Sequence, residues 1–299
     1  MKDQADRLRQ IALNARVKIE QEILTSQSQT KVIVISSGKG GTGKSTIALN
    51  LSVELCQRGK KVILFDADLG LANIDIMLGI VPKYNLYHVV NDKKSIQDII
   101  IHTEEGLDII PGGSGVYELA NLSNEKLKSI ITQLGRLDNV YDYMIIDTGA
   151  GLSENVLTFL LAADDVIIVT TPEPTSITDA YGIMKSLSNR KFPGAVYLIV
   201  NRVFDSNEGL MVAEKFKLVS QKFLNIDITP LGYVINEPLV SEGIRRQKSF
   251  IKLFPRSIAA KNINNIADNL LSKGEVVITE TPQRSGIRNF FRKITGINR

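Results

Sequence analysis

The stretch "KVIVISSGKGGTGKSTIALNLSVELCQRG" (residues 31–59) constrains the fold more than any other. It runs from an unbroken β-branched apolar segment, through a glycine-rich loop, into a segment with helical periodicity closed by a glycine. Apolar runs that do not alternate with polar residues are buried on both faces, as in parallel sheets covered by helices. Between strand and helix lies Gly38-x-x-x-x-Gly43-Lys44-Ser45, a phosphate-binding loop. Glycines let backbone N–H groups curl around phosphate oxygens, and the helix N-terminus adds positive potential. Lys44 is expected to reach the β- and γ-phosphates, and Ser45 to ligate Mg2+. A second lysine, Lys39, directly follows the first glycine, and one lysine is enough for such a loop.

The alternation continues along the chain. Apolar runs at 61–68, 107–113, 141–148, 164–172, 195–203 and 228–236 are separated mostly by segments of helical period. This predicts an α/β fold with a doubly wound, mostly parallel sheet over roughly 30–273. A chain of 299 residues, 43% hydrophobic, is long enough to build it. The single cysteine, Cys56, is expected to be a core thiol and excludes a disulfide framework. It also excludes clusters that need paired cysteines. With the polar start "MKDQADRLRQ" and no apolar run near the ~18 residues of a spanning helix, a cytoplasmic protein is expected. The isolated His88 and His102 are given no metal role, and a net charge of +4 does not by itself imply a nucleic-acid partner.

Acidic residues close two of the runs. Asp66 and Asp68 lie in "FDADLGLANID" (65–75), and Asp147 in "IIDTGAG" (145–151). Both stand at the carboxyl edge of the predicted sheet, where open α/β sheets bind ligands. Asp147 is expected to hold Mg2+ through water.

"GKGGTGKST", "FDADLGLANID", "IIDTGAG" and "NRV" together resemble the deviant Walker A ATPases, the MinD/ParA family, over roughly 30–273. The resemblance implies ATP with Mg2+, cradled by Gly38, Lys39, Gly40, Gly41, Thr42, Gly43, Lys44, Ser45 and Thr46. It implies a homodimer with ATP sandwiched between protomers. Lys39 would reach the partner's nucleotide and neutralise transition-state charge, as an arginine finger does in trans. Asp68 would orient the attacking water and, with Ser45 and Asp147, serve the metal. "TTPEPTSITDAYG" (170–182) would lie at the dimer face, with Glu173 on the partner nucleotide's ribose and Asp179 nearby. Asn201 and Arg202 would bracket adenine, and "INEPLV" (235–240) would close the other side.

The two ends fall outside this pattern. Residues 1–27 carry a thin apolar stripe, Leu8, Ile11, Ala15, Ile19 and Ile23, ahead of the polar linker "TSQSQT" (25–30). "DQADRLRQIA" (3–12) resembles the start of the flagellar FlhG branch of the family. That resemblance implies that Asp3, Gln4, Ala5, Leu8 and Arg9 bind and stimulate the signal-recognition-type GTPase FlhF. After a linker at 274–284, residues 285–299 place Ile287, Phe290, Phe291, Ile294 and Ile297 on one helical face. Arg288, Arg292, Lys293 and Arg299 take other positions, with no acid. This predicts an interfacial amphipathic helix that binds membrane lipid. The expectation is a dimerising ATPase, peripheral on the inner face of the cell membrane when ATP-bound, that regulates flagellar number or placement. A basal-body component is a further candidate partner. A division-site regulator and a DNA-segregation ATPase are the alternatives, with DNA binding not favoured.

Overall fold

The computed structural model describes residues 30–68, 73–113, 115, 123–224, 226–274 and 285–296. The N-terminal expectations, with Gln4, Leu8 and Arg9, lie outside the described residues. So do residues 69–72, most of the 274–284 linker, and Ile297 and Arg299.

Each expected apolar run holds a strand. These are β1 (Lys31–Ser36), β2 (Val62–Ala67), β4 (Asp108–Pro111), β5 (Tyr143–Thr148), β6 (Asp165–Thr170), β7 (Ala195–Val203) and β8 (Ile228–Ile235). Together with β3 (Ile101–His102) they form one sheet in the order β3-β4-β2-β5-β1-β6-β7-β8. Every pairing is parallel except β3 with β4. All six residues of β2, β5 and β6 are buried, which is why these runs show no alternation. β1 sits where the strand order reverses, with β5 on one side and β6 on the other. The crevice beyond its carboxyl end is the ligand position of such sheets.

One face of the sheet is covered by α1 (Lys44–Gln57), α2 (Ile74–Leu78), α10 (Phe250–Leu253) and α11 (Ile258–Gly274). The other carries α3 (Leu86–Val90), α4 (Ile96–Ile99), α5 (Asn124–Gly135), α6 (Glu154–Ala162), α7 (Pro174–Asn189) and α8 (Ser206–Leu224). The short α9 (Pro238–Arg245) follows β8. Cys56 is half-buried at the end of α1, and burial pushes its thiol up to about 11. His88 pairs with Asn85 at the start of α3, and His102 with Asp108. Among the described residues no helix is long and apolar enough to cross a membrane.

The C-terminal helix forms, as α12 (Gly286–Thr295), but it does not present its apolar face to solvent. Ile287, Phe290 and Phe291 are at most 1% exposed and belong to the core shared with α5 and α6. The Phe290 ring stands edge-on to Phe291 at 5.2 Å and lies 5.9 Å from Phe159 of α6. Phe291 lies 5.9 Å from Phe65 of β2. The first turn is tied down by carboxylates. Asp138 accepts from Ile287 N at 2.6 Å and Arg288 N at 3.1 Å, and Asp164 accepts from Ser285 N at 2.7 Å. Acids at a helix N-terminus satisfy its free N–H groups and complement its dipole. The sequence expectation of an interfacial helix is therefore met by a helix packed on the protein itself. An i, i+3, i+4 apolar stripe specifies a face to be covered, and here the groove between α5 and α6 covers it.

Phe290→Ala should weaken the docking of α12 by about 3–5 kcal/mol, the usual cost of emptying a buried phenylalanine site. Hydrogen exchange would then show lost protection over residues 286–295, while the exposed Asn289→Ala leaves it unchanged. Equal protection in both variants would contradict the docked geometry.

Candidate nucleotide site

The loop between β1 and α1 is shaped by two close approaches that only glycine allows. A Cβ at Gly38 would lie 2.3–2.7 Å from Asp179 and the Ala180 backbone, because α7 crosses directly beneath the loop. Gly43 has φ of 86°, and a Cβ there would lie 2.3 Å from Asn201 Nδ2. That amide donates to Thr42 O at 2.7 Å, tying the end of β7 to the loop. No side chain caps α1, so its first turn, with Lys44, Ser45 and Thr46, opens onto the crevice.

Three carboxylates converge on this turn. The β2–β5 register places Asp66 beside Asp147. Lys44 Nζ donates to Asp147 Oδ1 at 2.5 Å, and both side chains are buried. Burial pushes the Asp147 carboxyl up, and the Lys44 ammonium and Ser45 hydroxyl pull it back. Its other oxygen, Oδ2, is buried with no hydrogen-bond partner. Asp66 accepts from the backbone N–H groups of Asp68, Asn73 and Ile74 at 3.2, 3.0 and 3.2 Å. It thereby clasps both ends of the loop that follows β2. Burial, and then the charge of Asp147, push Asp66 up to about 6 against those bonds. Asp68 faces Gly149, at the start of the loop after β5.

Lys39 points along the chain's own surface. Its Nζ bonds Glu173 Oε2 at 2.6 Å and Thr175 Oγ1 at 3.0 Å, at the start of α7. The ammonium holds the Glu173 carboxyl below its usual range. Glu173 and Arg202 also line an open pocket of about 250 Å3 with Pro172, Phe204 and Asn236. Arg202 adopts a left-handed φ of 58° at the end of β7 and is exposed, whereas its neighbour Asn201 turns the opposite way, toward Thr42. The structure thus brings Asp66, Asp68, Asp147, Lys44 and Ser45 together. It gathers Glu173, Arg202 and, from the 235–240 turn, Asn236 around a second pocket, and it parks Lys39 on Glu173. Pro172 falls within the 170–182 stretch singled out above, whereas nothing in the sequence pattern marked Phe204 for that pocket or Asp66 as the clasp.

Comparison with known proteins is consistent along the whole chain. The AAA domain family matches residues 30–191. The flagellum site-determining protein YlxH of Helicobacter pylori is 37% identical over 296 residues, 98% of each chain. The antiactivator FleN of Pseudomonas aeruginosa is 31% identical over 82% of this chain and 88% of its own. The structure of the septum site-determining protein MinD from Pyrococcus horikoshii, complexed with Mg-ADP, matches with a TM-score of 0.67. It is 29% identical, covering 83% of this chain and 98% of that one. The chain belongs to the MinD/ParA family of ATPases.

MinD/ParA proteins use ATP with Mg2+, and the residues in this crevice fit both. Two of the buried oxygens without a partner among the described residues, Asp147 Oδ2 and Thr42 Oγ1, lie on this crevice and are groups that a nucleotide, its metal or bound water would satisfy. The lysine of the loop is already aimed into the site. When bound, the metal supplies charge neutralisation for the phosphates.

The raised Asp66 gives a pH signature in the metal-free protein. Its folded-state affinity for a proton exceeds that of the unfolded chain, so it favours folding at low pH and loses that contribution as pH rises through about 6. The stability of wild type minus that of Asp66→Asn should therefore fall by about 1–3 kcal/mol between roughly pH 4 and 7 and stay flat above. Urea unfolding across that range checks it, and a pH-independent difference would overturn the assignment.

Proposed function

We propose that this chain is an ATP-driven switch that sets flagellar number or placement, cycling between a soluble monomer and an ATP-bound homodimer on the membrane. The observation that carries this reading is the end-to-end likeness to YlxH. It spans 98% of this chain, so it takes in extensions that the ATPase core alone does not need.

In this reading Lys44 leaves Asp147 for the β- and γ-phosphates, and Asp147 and Ser45 serve the metal. Asp68 orients the attacking water, held in place by the loop that Asp66 clasps. Lys39 exchanges Glu173 for the partner's nucleotide, so hydrolysis waits on dimerisation. Glu173, once released, contacts the partner nucleotide's ribose. Arg202 stacks on adenine. Asn201 has its amide nitrogen committed to Thr42, which leaves Oδ1 to accept from the adenine amino group. The same switch frees α12. One such helix binds a bilayer weakly, and two in one dimer gain roughly 10²–10⁴ in avidity.

The lysines separate the steps. Lys44→Ala should abolish ATP binding. Lys39→Ala should keep it and lose ATP-dependent dimerisation and hydrolysis, and Asp68→Ala should accumulate as an ATP-loaded dimer. Size-exclusion chromatography with ATP and a phosphate-release assay read all three. Normal dimerisation and turnover in Lys39→Ala would remove the shared-site mechanism.

The first 25 residues are assigned to the GTPase FlhF. Their narrow apolar stripe offers little to bury within this chain and suits contact with a partner. Gln4 is suited to orient a water or a catalytic loop at a GTP site, and Arg9 to contact phosphate or an acid. The full chain should raise the GTPase rate of the cognate FlhF, the chain lacking residues 1–25 should not, and Gln4→Ala should lose most of the effect. Equal stimulation with and without residues 1–25 would end this role.

A further inference from the structure

The ATPase chemistry leaves one charged face unused. On the outer side of α5, Lys128, Thr132 and Arg136 follow one another at i, i+4 spacing and wall an open groove of about 570 Å3. Lys94 and Ser95, just before α4, form the facing wall. The groove's one carboxylate, Asp92, is already paired with Lys126 at 3.2 Å. Among the described residues no carboxylate lies within ion-pair distance of Lys94, Lys128 or Arg136. Lys94 rests 4.3 Å over the Tyr84 ring, which orients the ammonium without neutralising it. Gln133 accepts from Ile96 N through Oε1, which leaves its amide hydrogens as donors on the groove floor.

This cationic row runs directly into α12. A Cβ at Gly135 would lie 3.0–3.1 Å from the Cβ, Cγ and Cδ of Arg288, so the arginine stem crosses α5 at the one position that has no side chain to block it. Arg288 is therefore the next cation after Arg136 on the same face, and no carboxylate in the described residues pairs with it.

We propose that the groove between α4 and α5 is a landing surface for the phosphodiester headgroups of anionic lipid, used while α12 is still docked. The proposal rests on the membrane reading above and adds a step before it. With Ile287, Phe290 and Phe291 sealed in the core, docked α12 has no apolar face of its own to insert. Cations held in no direct ion pair, with neighbouring amide and hydroxyl groups, suit phosphate oxygens, although Asp98 beside Ser95 lies within the field of Lys94. Lipid fits better than nucleic acid because α12 forms the groove's edge. Holding this face on a bilayer places the helix against the surface it would enter, at high effective concentration.

The test uses the full chain without nucleotide and vesicles of phosphatidylcholine, with or without phosphatidylglycerol. Wild type should float with the anionic vesicles at low salt and lose most of that binding at roughly 0.3 M salt, where screening is shorter-ranged. The triple variant K94Q/K128Q/R136Q, at one half-buried and two exposed positions, should bind them roughly a hundredfold more weakly, about fivefold per cation. Its binding with ATP should persist at high lipid concentration. Equal nucleotide-free binding by variant and wild type would overturn the proposal, as would equal binding to neutral vesicles. Saturation of wild type by inorganic phosphate alone would make the groove a free-anion site instead. A duplex-DNA shift lost in the triple variant, without vesicle binding, would assign the groove to nucleic acid. If ATP fails to enhance vesicle binding while the nucleotide-free difference stands, the ATP-switch reading falls and the groove assignment survives.

Discussion

The buried pair between Lys44 and Asp147 organises the site. Two charges taken out of water at the centre of the sheet are tolerable only together, because removing either leaves the other uncompensated. The pair fixes where the phosphate-binding lysine points, and it sets the field that Asp66 feels from the neighbouring strand. It also keeps the lysine close to where it would be used. Lys44 need not travel between distant positions, since the partner it would leave is the residue assigned to the metal beside the same phosphates.

The structure also holds two elements inside the protomer that the proposed cycle uses outside it, one on the partner protomer and one on the membrane. Their energetics differ. Lys39 and Glu173 form a partly exposed pair, and such pairs contribute little and are screened by salt. Releasing Lys39 is therefore cheap. Releasing α12 exposes Ile287, Phe290 and Phe291, each worth about 1.5–3 kcal/mol when fully buried. On the membrane reading α12 cannot leave for water alone. It leaves for another apolar phase that repays most of that burial, and small biases from avidity and charge then decide the balance. This is why cations beside α12 carry weight in that cycle.

The sheet was legible in the sequence because burial on both faces leaves unbroken apolar runs in β2, β5 and β6, with polar residues confined to the strand ends. The two-residue β3 carries too little pattern to be read, and its antiparallel pairing with β4 had no signal. The glycines of the loop were legible as a motif, but the reason for Gly38 is α7 passing beneath it, a contact more than a hundred residues away in sequence. The same holds for Asn201, whose bond to Thr42 spans 159 residues. Asp66 and Asp68 read alike as carboxylates two residues apart. Only the backbone path separates them, turning one inward onto three N–H groups and the other toward Gly149. For α12 the sequence specified an amphipathic face and left open what covers it.

A physical route connects the crevice to that covered face. Gly151 N donates to Ser37 O at 2.8 Å, so the loop after Asp147 is bonded to the phosphate-binding loop itself. Two residues on, Ser153 caps α6 by accepting from Val156 N at 3.3 Å. Phe159 of the same helix lies against Phe290. Any rearrangement of residues 149–152 around bound phosphates is therefore delivered to the start of a nine-residue helix whose far side is the wall of the α12 groove. A well-packed wall does not deform gradually, because close-packed side chains have few intermediate arrangements. A shift of α6 would favour the docked helix less without a continuous series of half-docked states, which is what a switch requires.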